Sequence, residues 1–290
     1  METSELIKRV RKIEIKTRGL SRNIFAGEYH SAFKGRGMAF SEVREYQVGD
    51  DVRNIDWNVT ARYNKPFVKI YEEERELTVM LLIDVSGSRE FGSKDVLKKN
   101  IITEVAAILA FSAIQNNDKI GVIFFSSKIE KFIPPKKGRS HILRIISELI
   151  DFEPEERGTD ISGAIRYMTN AIKKRCTAFL ISDFIQQEST LENALSIANN
   201  RHDMVALRIY DERETELPDI GMIKLKDAET GNYTWIDSSD RKAREIYRKW
   251  WNGLSADLDN CFNRSRVDYV NISANHDYVK SLISLFKKRG

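Results

Sequence analysis

Cysteine, histidine and proline are scarce in this 290-residue chain, at two, four and five residues. Cys176 and Cys261 lie far apart with no Cys-x-x-Cys pair, which excludes a disulfide framework and a zinc-finger module. His30, His141, His202 and His276 are scattered without metal-ligand spacing. The longest apolar runs, Val79 to Ile83 and Val105 to Phe111, fall far short of the roughly 20 residues a membrane helix needs. The opening Met-Glu-Thr-Ser-Glu-Leu-Ile-Lys-Arg lacks the apolar stretch of a signal peptide. A cytoplasmic chain with reduced thiols and no membrane segment is therefore expected. Neither a nucleotide P-loop nor a Gly-x-Ser-x-Gly elbow occurs, so much of the usual enzyme repertoire is absent.

What is present is globular composition, 41% hydrophobic and 31% charged, in a chain long enough to bury a sizeable core. Residues 1–44 carry ten Lys or Arg against five Asp or Glu, more than accounting for the net charge of +4. Such asymmetry suits an acidic or nucleic-acid partner, or simply a solvated basic face. The basic residues are separated by apolar and acidic ones, with no aromatic interleaving, which favours the solvated face. Nucleic-acid binding through this part stays open as a weaker alternative.

Two textures divide the chain. In residues 1–75, apolar Leu6, Ile7, Val10 and Ile13 predict a short amphipathic helix over 5–17. Gly27, Gly35, Gly37 and Gly49, with aromatics alternating among polar residues from Phe25 to Phe67, predict a small β-rich unit. Residues 76–290 read as an α/β domain. Leu77-Thr-Val-Met-Leu-Leu-Ile-Asp84 is a continuous apolar run ending in a carboxylate, the pattern of a strand buried on both faces. A helix over 93–116, a strand from Ile120, and a short strand Ile129 to Ile133 ending at Pro134-Pro135 follow. Helices at 139–150 and 160–174, strand 177–181, helix 189–200 and strand 204–210 continue the alternation. Such alternation implies a mostly parallel sheet flanked by helices. A hairpin at 222–238 turning at Thr230-Gly-Asn, a helix over 239–262, a strand 267–272 and a helix 276–288 complete it. Tyr247, Trp250 and Trp251 share a helix face with Leu254 and Leu258 and read as core.

Ligands in open α/β sheets bind at the carboxyl ends of the strands. Three loops predicted at that edge carry oxygen donors: Asp84-Val-Ser86-Gly-Ser88, Arg157-Gly-Thr159-Asp160, and Ser182-Asp183-Phe184. Ser86 and Ser88, two apart in a turn loosened by Gly87, can point to one side. Asp84, Ser86, Ser88, Thr159 and Asp183 together offer only hard oxygens, which suits Mg²⁺ or Mn²⁺ rather than zinc or copper. Asp84 alone also fits a helix cap, and Asp183 a cap or a pair with a nearby Arg; Asp160 is read as the cap of the helix starting at Ile161. Their conjunction on three loops favours a metal site.

At these residues the chain resembles the metal-ion-dependent adhesion site of von Willebrand factor A-type domains. The resemblance implies that Ser86, Ser88 and Thr159 contact the metal directly or through water, and that Asp84 and Asp183 hold it largely through water. Upstream, Gly27-Glu-Tyr-His-Ser-Ala-Phe-Lys-Gly35-Arg-Gly37 through Arg44, Tyr46, Gly49-Asp50-Asp51, Arg53 and Asp56-Trp57 to Thr60-Ala-Arg62 looks like the hallmark of the bacterial domain of unknown function 58 family. That resemblance covers about residues 20–200, with the motif-bearing part of the α/β domain at 77–210, and implies association with a MoxR-type AAA+ ATPase. Arg44, Arg53 and Arg62 among Glu42, Glu45, Asp50, Asp51 and Asp56 predict bidentate pairs, read as a scaffold fixing the small unit onto the sheet domain rather than as a second binding site.

The expected function is a non-enzymatic, metal-dependent module that captures a carboxylate from a protein partner, the ATPase or its client. Arg89, Lys136, Lys137 and Arg157 are expected to form a basic rim that speeds encounter. The alternative is a metal-dependent phosphohydrolase with Asp84 as nucleophile. That chemistry wants a second Asp two residues on, where this chain has Ser86.

Overall fold

The computed structural model describes Lys8, residues 10–14, 16–17, 39–63, 65–72, 77–93, 96–185, 190–229 and 231–289. The glycine-rich stretch 18–38 and the acidic stretch 73–76 lie outside these described residues. The chain divides into two compact units, Lys34–Leu77 and a larger one of Met1–Phe33 with Thr78–Gly290. Among the described residues no helix is long and apolar enough to cross a membrane.

The larger unit holds a sheet of six strands: β3 (Thr78–Asp84), β6 (Lys119–Phe125), β7 (Ile129–Lys136), β8 (Thr177–Ser182), β9 (Asp203–Tyr210) and β12 (Asp268–Ser273). They lie side by side in the order β12-β9-β8-β3-β6-β7. All neighbours are parallel except β6 and β7. Apolar residues continue along β3 and β8 because both of their faces are covered; every residue of β8 is buried. Ala178, Leu180, Met80 and Leu82 join a core with the helices Ile161–Ala171, Leu191–Arg201 and Arg241–Arg264. The Phe179 ring points the other way, 6.4 Å from Phe286 of the terminal helix Tyr278–Arg289. That alternation is the two-residue period of a strand.

The structure differs from the sequence expectation in three places. β7 continues through Pro134-Pro135 to Lys136, because β7 is the edge strand and a missing N–H is tolerated there. The long helix begins only at Lys98 (Lys98–Gln115), after a two-strand ribbon of β4 (Gly92–Ser93) and β5 (Val96–Leu97). The described N-terminal helical residues pair with the α/β unit, Glu14 with Arg139 and Lys16 with Glu104, each at 2.6 Å.

The Lys34–Leu77 unit is an antiparallel pair, β1 (Ala39–Glu45) and β2 (Phe67–Glu72), with a helix Trp57–Tyr63 between them. Asp51 and Asp56 start its helical turns by accepting from Arg53 N and Val59 N, so Trp57 and Tyr63 lie on a helix rather than on strands. Arg44 forks onto Asp50 at 2.7 and 2.8 Å, and Arg53 pairs with Asp51 at 2.7 Å; the bidentate pairs form, and both lie within this unit. A further hairpin in the larger unit, β10 (Met222–Lys226) with β11 (Tyr233–Asp237), turns where the sequence places it.

Phe262, fully buried on helix Arg241–Arg264, meets Phe184 edge-on at 5.2 Å. Phe262→Ala is expected to lower unfolding free energy by about 3–5 kcal/mol in urea denaturation. A loss under about 1 kcal/mol would show that this helix does not share the sheet's core.

Candidate metal centre

β3 lies between β8 and β6, so successive connections diverge from it, and the crevice at its carboxyl end is the sheet's switch point. Asp84 is its last residue and is buried. One carboxylate oxygen accepts from Ser86 N at 2.9 Å and the other from the Ser182 hydroxyl at 2.6 Å. The Ser86 and Ser88 hydroxyls stand 3.2 Å apart. Asp183 follows β8, accepts from Ile185 N at 3.3 Å and is also hydrogen-bonded by Ser88. Phe184 beside it has φ 55° and anchors the turn with its buried ring and an N–H to the Ser182 hydroxyl.

The Thr159 loop is tied in through its backbone. Gly87 N donates to Arg157 O at 3.2 Å and Asp160 N to Ser126 O at 2.8 Å. Asp160 accepts from Gly163 N at 2.7 Å and caps its helix, as its position predicts. The Thr159 hydroxyl donates to Glu229 at 3.0 Å, a residue from the β10–β11 turn. Asp84, Ser86, Ser88 and Asp183 are thus joined by hydrogen bonds, and Thr159 stands on the loop bonded to Gly87 between the two serines.

Charge is unevenly balanced there. Burial pushes the Asp84 carboxyl up, and the negative charge of Asp183 adds to it, to about 6. Asp183 moves down: burial opposes its charge, but Lys98 outweighs that with its field and a 2.8 Å ion pair. Lys98 is itself buried and bridges to Glu214 at 2.6 Å. Burial works against its ammonium, yet Asp183 and Glu214 together raise its pKa. Arg208, over the Trp251 ring at 4.8 Å, donates to the Asp183 carbonyl at 3.3 Å and holds the loop from behind.

Among the described residues no three His, Cys, Asp or Glu side chains gather closely enough to hold a metal by themselves. Any ion here would lean on the hydroxyls and on water, which is the preference of Mg²⁺ and Mn²⁺. The donor set fits such an ion, and Asp84 has no cationic side chain bonded to it among the described residues, with only the field of the buried Arg89 reaching it. Lys98, Glu214 and Glu229 escape the sequence reading. They stand far away in sequence, on a helix start, a loop turn and a hairpin tip, where no local pattern marks them.

Two expectations about the surroundings are corrected. Arg89 is buried, 3% exposed, and donates to the Phe152 carbonyl, so it cannot belong to a solvent-facing rim. Lys136 pairs with Ile120 at the start of β6, the opposite edge of the sheet from Asp84. Trp251 is core as read, but Trp250 is 46% exposed.

A family model described as "Protein of unknown function DUF58" matches residues 42–253. The chain is 31% identical to the protein Mb1516 of Mycobacterium bovis, over all of this chain and 91% of that one. Among solved structures it is similar to an aerotolerance-related membrane protein from Bacteroides fragilis, at 16% identity and a TM-score of 0.50, covering 73% of this chain and 99% of that one. It is also similar to a von Willebrand factor type A structure from Catenulispora acidiphila, at 10% identity and a TM-score of 0.40, covering 77% and 43%. The architecture is a mostly parallel sheet flanked by helices.

Two outcomes follow from the charges. Because folding raises the Asp84 pKa from 3.8 to about 6, its contribution to stability is present below the unfolded value and lost as pH rises through the folded one. In chelator, Asp84→Asn should match the parent's melting temperature near pH ~4 and exceed it near pH ~7.5. A variant several kcal/mol less stable at the higher pH would make Asp84 a structural residue. Lys98→Met should cost about 3–5 kcal/mol at neutral pH by stranding Asp183 and Glu214, and the loss should shrink in acid. A loss independent of pH would mean that packing, not charge, is what Lys98 provides.

Proposed function

The chain belongs to the DUF58 family, and we propose that it is a non-enzymatic, metal-dependent protein-binding module whose von Willebrand A-like sheet edge captures a partner's carboxylate. The observation that carries this is the joining of Asp84, Ser86, Ser88 and Asp183 by hydrogen bonds at the switch point. Asp84 and Asp183 would hold the cation, with Ser86, Ser88 and Thr159 as neutral oxygen donors. A bound Mg²⁺ or Mn²⁺ would supply an electrophilic attachment point for one further carboxylate. With few charged ligands the centre stays short of negative charge, and an outside Asp or Glu completes it.

The family resemblance suggests the partner class, a MoxR-type AAA+ ATPase or a client that it remodels. Phosphohydrolase chemistry at Asp84 is the less favoured reading. Both Asp84 oxygens already accept hydrogen bonds, and Ser86 stands where a general acid would be needed. The raised Asp84 pKa also weakens it as a nucleophile at acidic pH.

Calorimetry with Mn²⁺ and Mg²⁺ should give one site, absent in Asp84→Asn. Flat titrations with both metals at millimolar concentration would overturn the reading. Co-purification with a genomically adjacent AAA+ ATPase should need magnesium and fail with chelator or with Asp84→Ala. Equal recovery under all three conditions would detach any complex from this site.

A further inference from the structure

A carboxylate of the chain itself reaches the cluster. Glu229 sits in the β10–β11 turn, half-buried, and accepts from the Thr159 hydroxyl at 3.0 Å. Burial raises its pKa, the Thr159 hydroxyl opposes the rise, and Asp183 and Asp227 add to it, so Glu229 stands within the field of Asp183. The turn is built to deliver it. Glu229 N donates to Asp227 at 2.9 Å, Asp227 N to Asn232 O at 2.8 Å, and Gly231 takes φ 74°. The Ala228 carbonyl is seated so closely on Gly87 that a Cβ there would collide with it. Gly87, between Ser86 and Ser88, thus leaves room for the hairpin tip as well as for the turn.

The rest of the hairpin is lightly held. No residue of β10 or β11 is buried, and Met222, Tyr233 and Trp235 are each more than half exposed. An element with so little buried surface opens at small cost.

We infer that Glu229 is a ligand in cis: it fills the coordination position that a partner's carboxylate would take, and a partner binds by displacing the hairpin tip. This rests on the metal-centre reading of Asp84, Ser86, Ser88, Thr159 and Asp183. A metal with only two carboxylates of its own gains charge from a third, and the Thr159 hydroxyl that Glu229 now occupies is one of the proposed donors. Partner and hairpin compete for one point of attachment.

The full chain, Glu229→Gln and Glu229→Ala would be titrated with Mn²⁺ calorimetrically, with amide hydrogen exchange followed over 222–237. Mn²⁺ should slow exchange around Asp227–Asn232 in the parent chain and leave it unchanged in Glu229→Gln. The variant should bind Mn²⁺ at least about tenfold more weakly, the lower bound for loss of a supporting ligand. Added acetate should restore affinity in Glu229→Ala but not raise it in the parent. Equal Mn²⁺ affinity in Glu229→Gln, with Mn²⁺ slowing hairpin exchange as much in the variant as in the parent, would overturn the inference while leaving the metal centre standing. Absence of Mn²⁺ binding in the parent chain would remove both.

Discussion

Two buried carboxylates at the ends of adjacent parallel strands are the constraint to which the rest of this molecule answers. Asp84 and Asp183 are brought together by the pairing of β3 with β8, and like charges out of water disfavour joint ionisation. The protein settles one of them internally. Lys98, at the start of its helix, binds Asp183 and needs Glu214 to balance its own burial. Glu214 in turn accepts from Asp211 N at 2.8 Å just after β9. The ends of three strands and one helix are thereby tied into one polar network. Asp84 is left as the charge that no side-chain cation among the described residues contacts.

The sheet is legible in the sequence because its strands obey a simple rule: buried parallel strands are apolar throughout, and the helices between them keep a 3.6-residue period. Asp84, Ser86, Ser88, Thr159 and Asp183 are legible for a related reason. Topology alone puts the ends of such strands together. Lys98 is hidden because a lysine at a helix start ordinarily faces water, and only its distant partners make burial tolerable. Trp250 shares its helix face with core residues yet stands half exposed beside Tyr247 at 5.5 Å, where it lines a groove with Phe91 and Ile223. The run through Pro134-Pro135 reads as a strand end because edge position, which excuses proline, is a property of strand order and not of local sequence.

The small unit shows the same division. Its Arg and Asp residues announce bidentate pairing by composition alone, and Arg44–Asp50 and Arg53–Asp51 are those pairs. These pairs are solvent-accessible and screened, so they fix register more than they add stability. The helix Trp57–Tyr63 escapes notice because its aromatic spacing mimics a strand. Its start depends on Asp56 capping, a signal that competes with the alternation and here prevails.

A third carboxylate supplied in cis changes what a partner must do. A tethered ligand works at an effective concentration on the order of millimolar or higher, so on the proposed reading a free Asp or Glu of ordinary strength would not evict Glu229 by metal bonding alone. Successful displacement needs contacts beyond the cation. The chain places such a surface beside it: a groove of about 610 Å³ that includes Ser88 and Asp183 is walled by Phe91, Leu217, Ile223 and Trp250. A carboxylate next to an apolar side chain would meet both features at once, whereas an isolated acidic residue would meet only the occupied one. On the proposed metal-centre reading, selectivity at this sheet edge would arise from competition: the internal ligand would set a threshold that only partners with matching apolar contacts exceed.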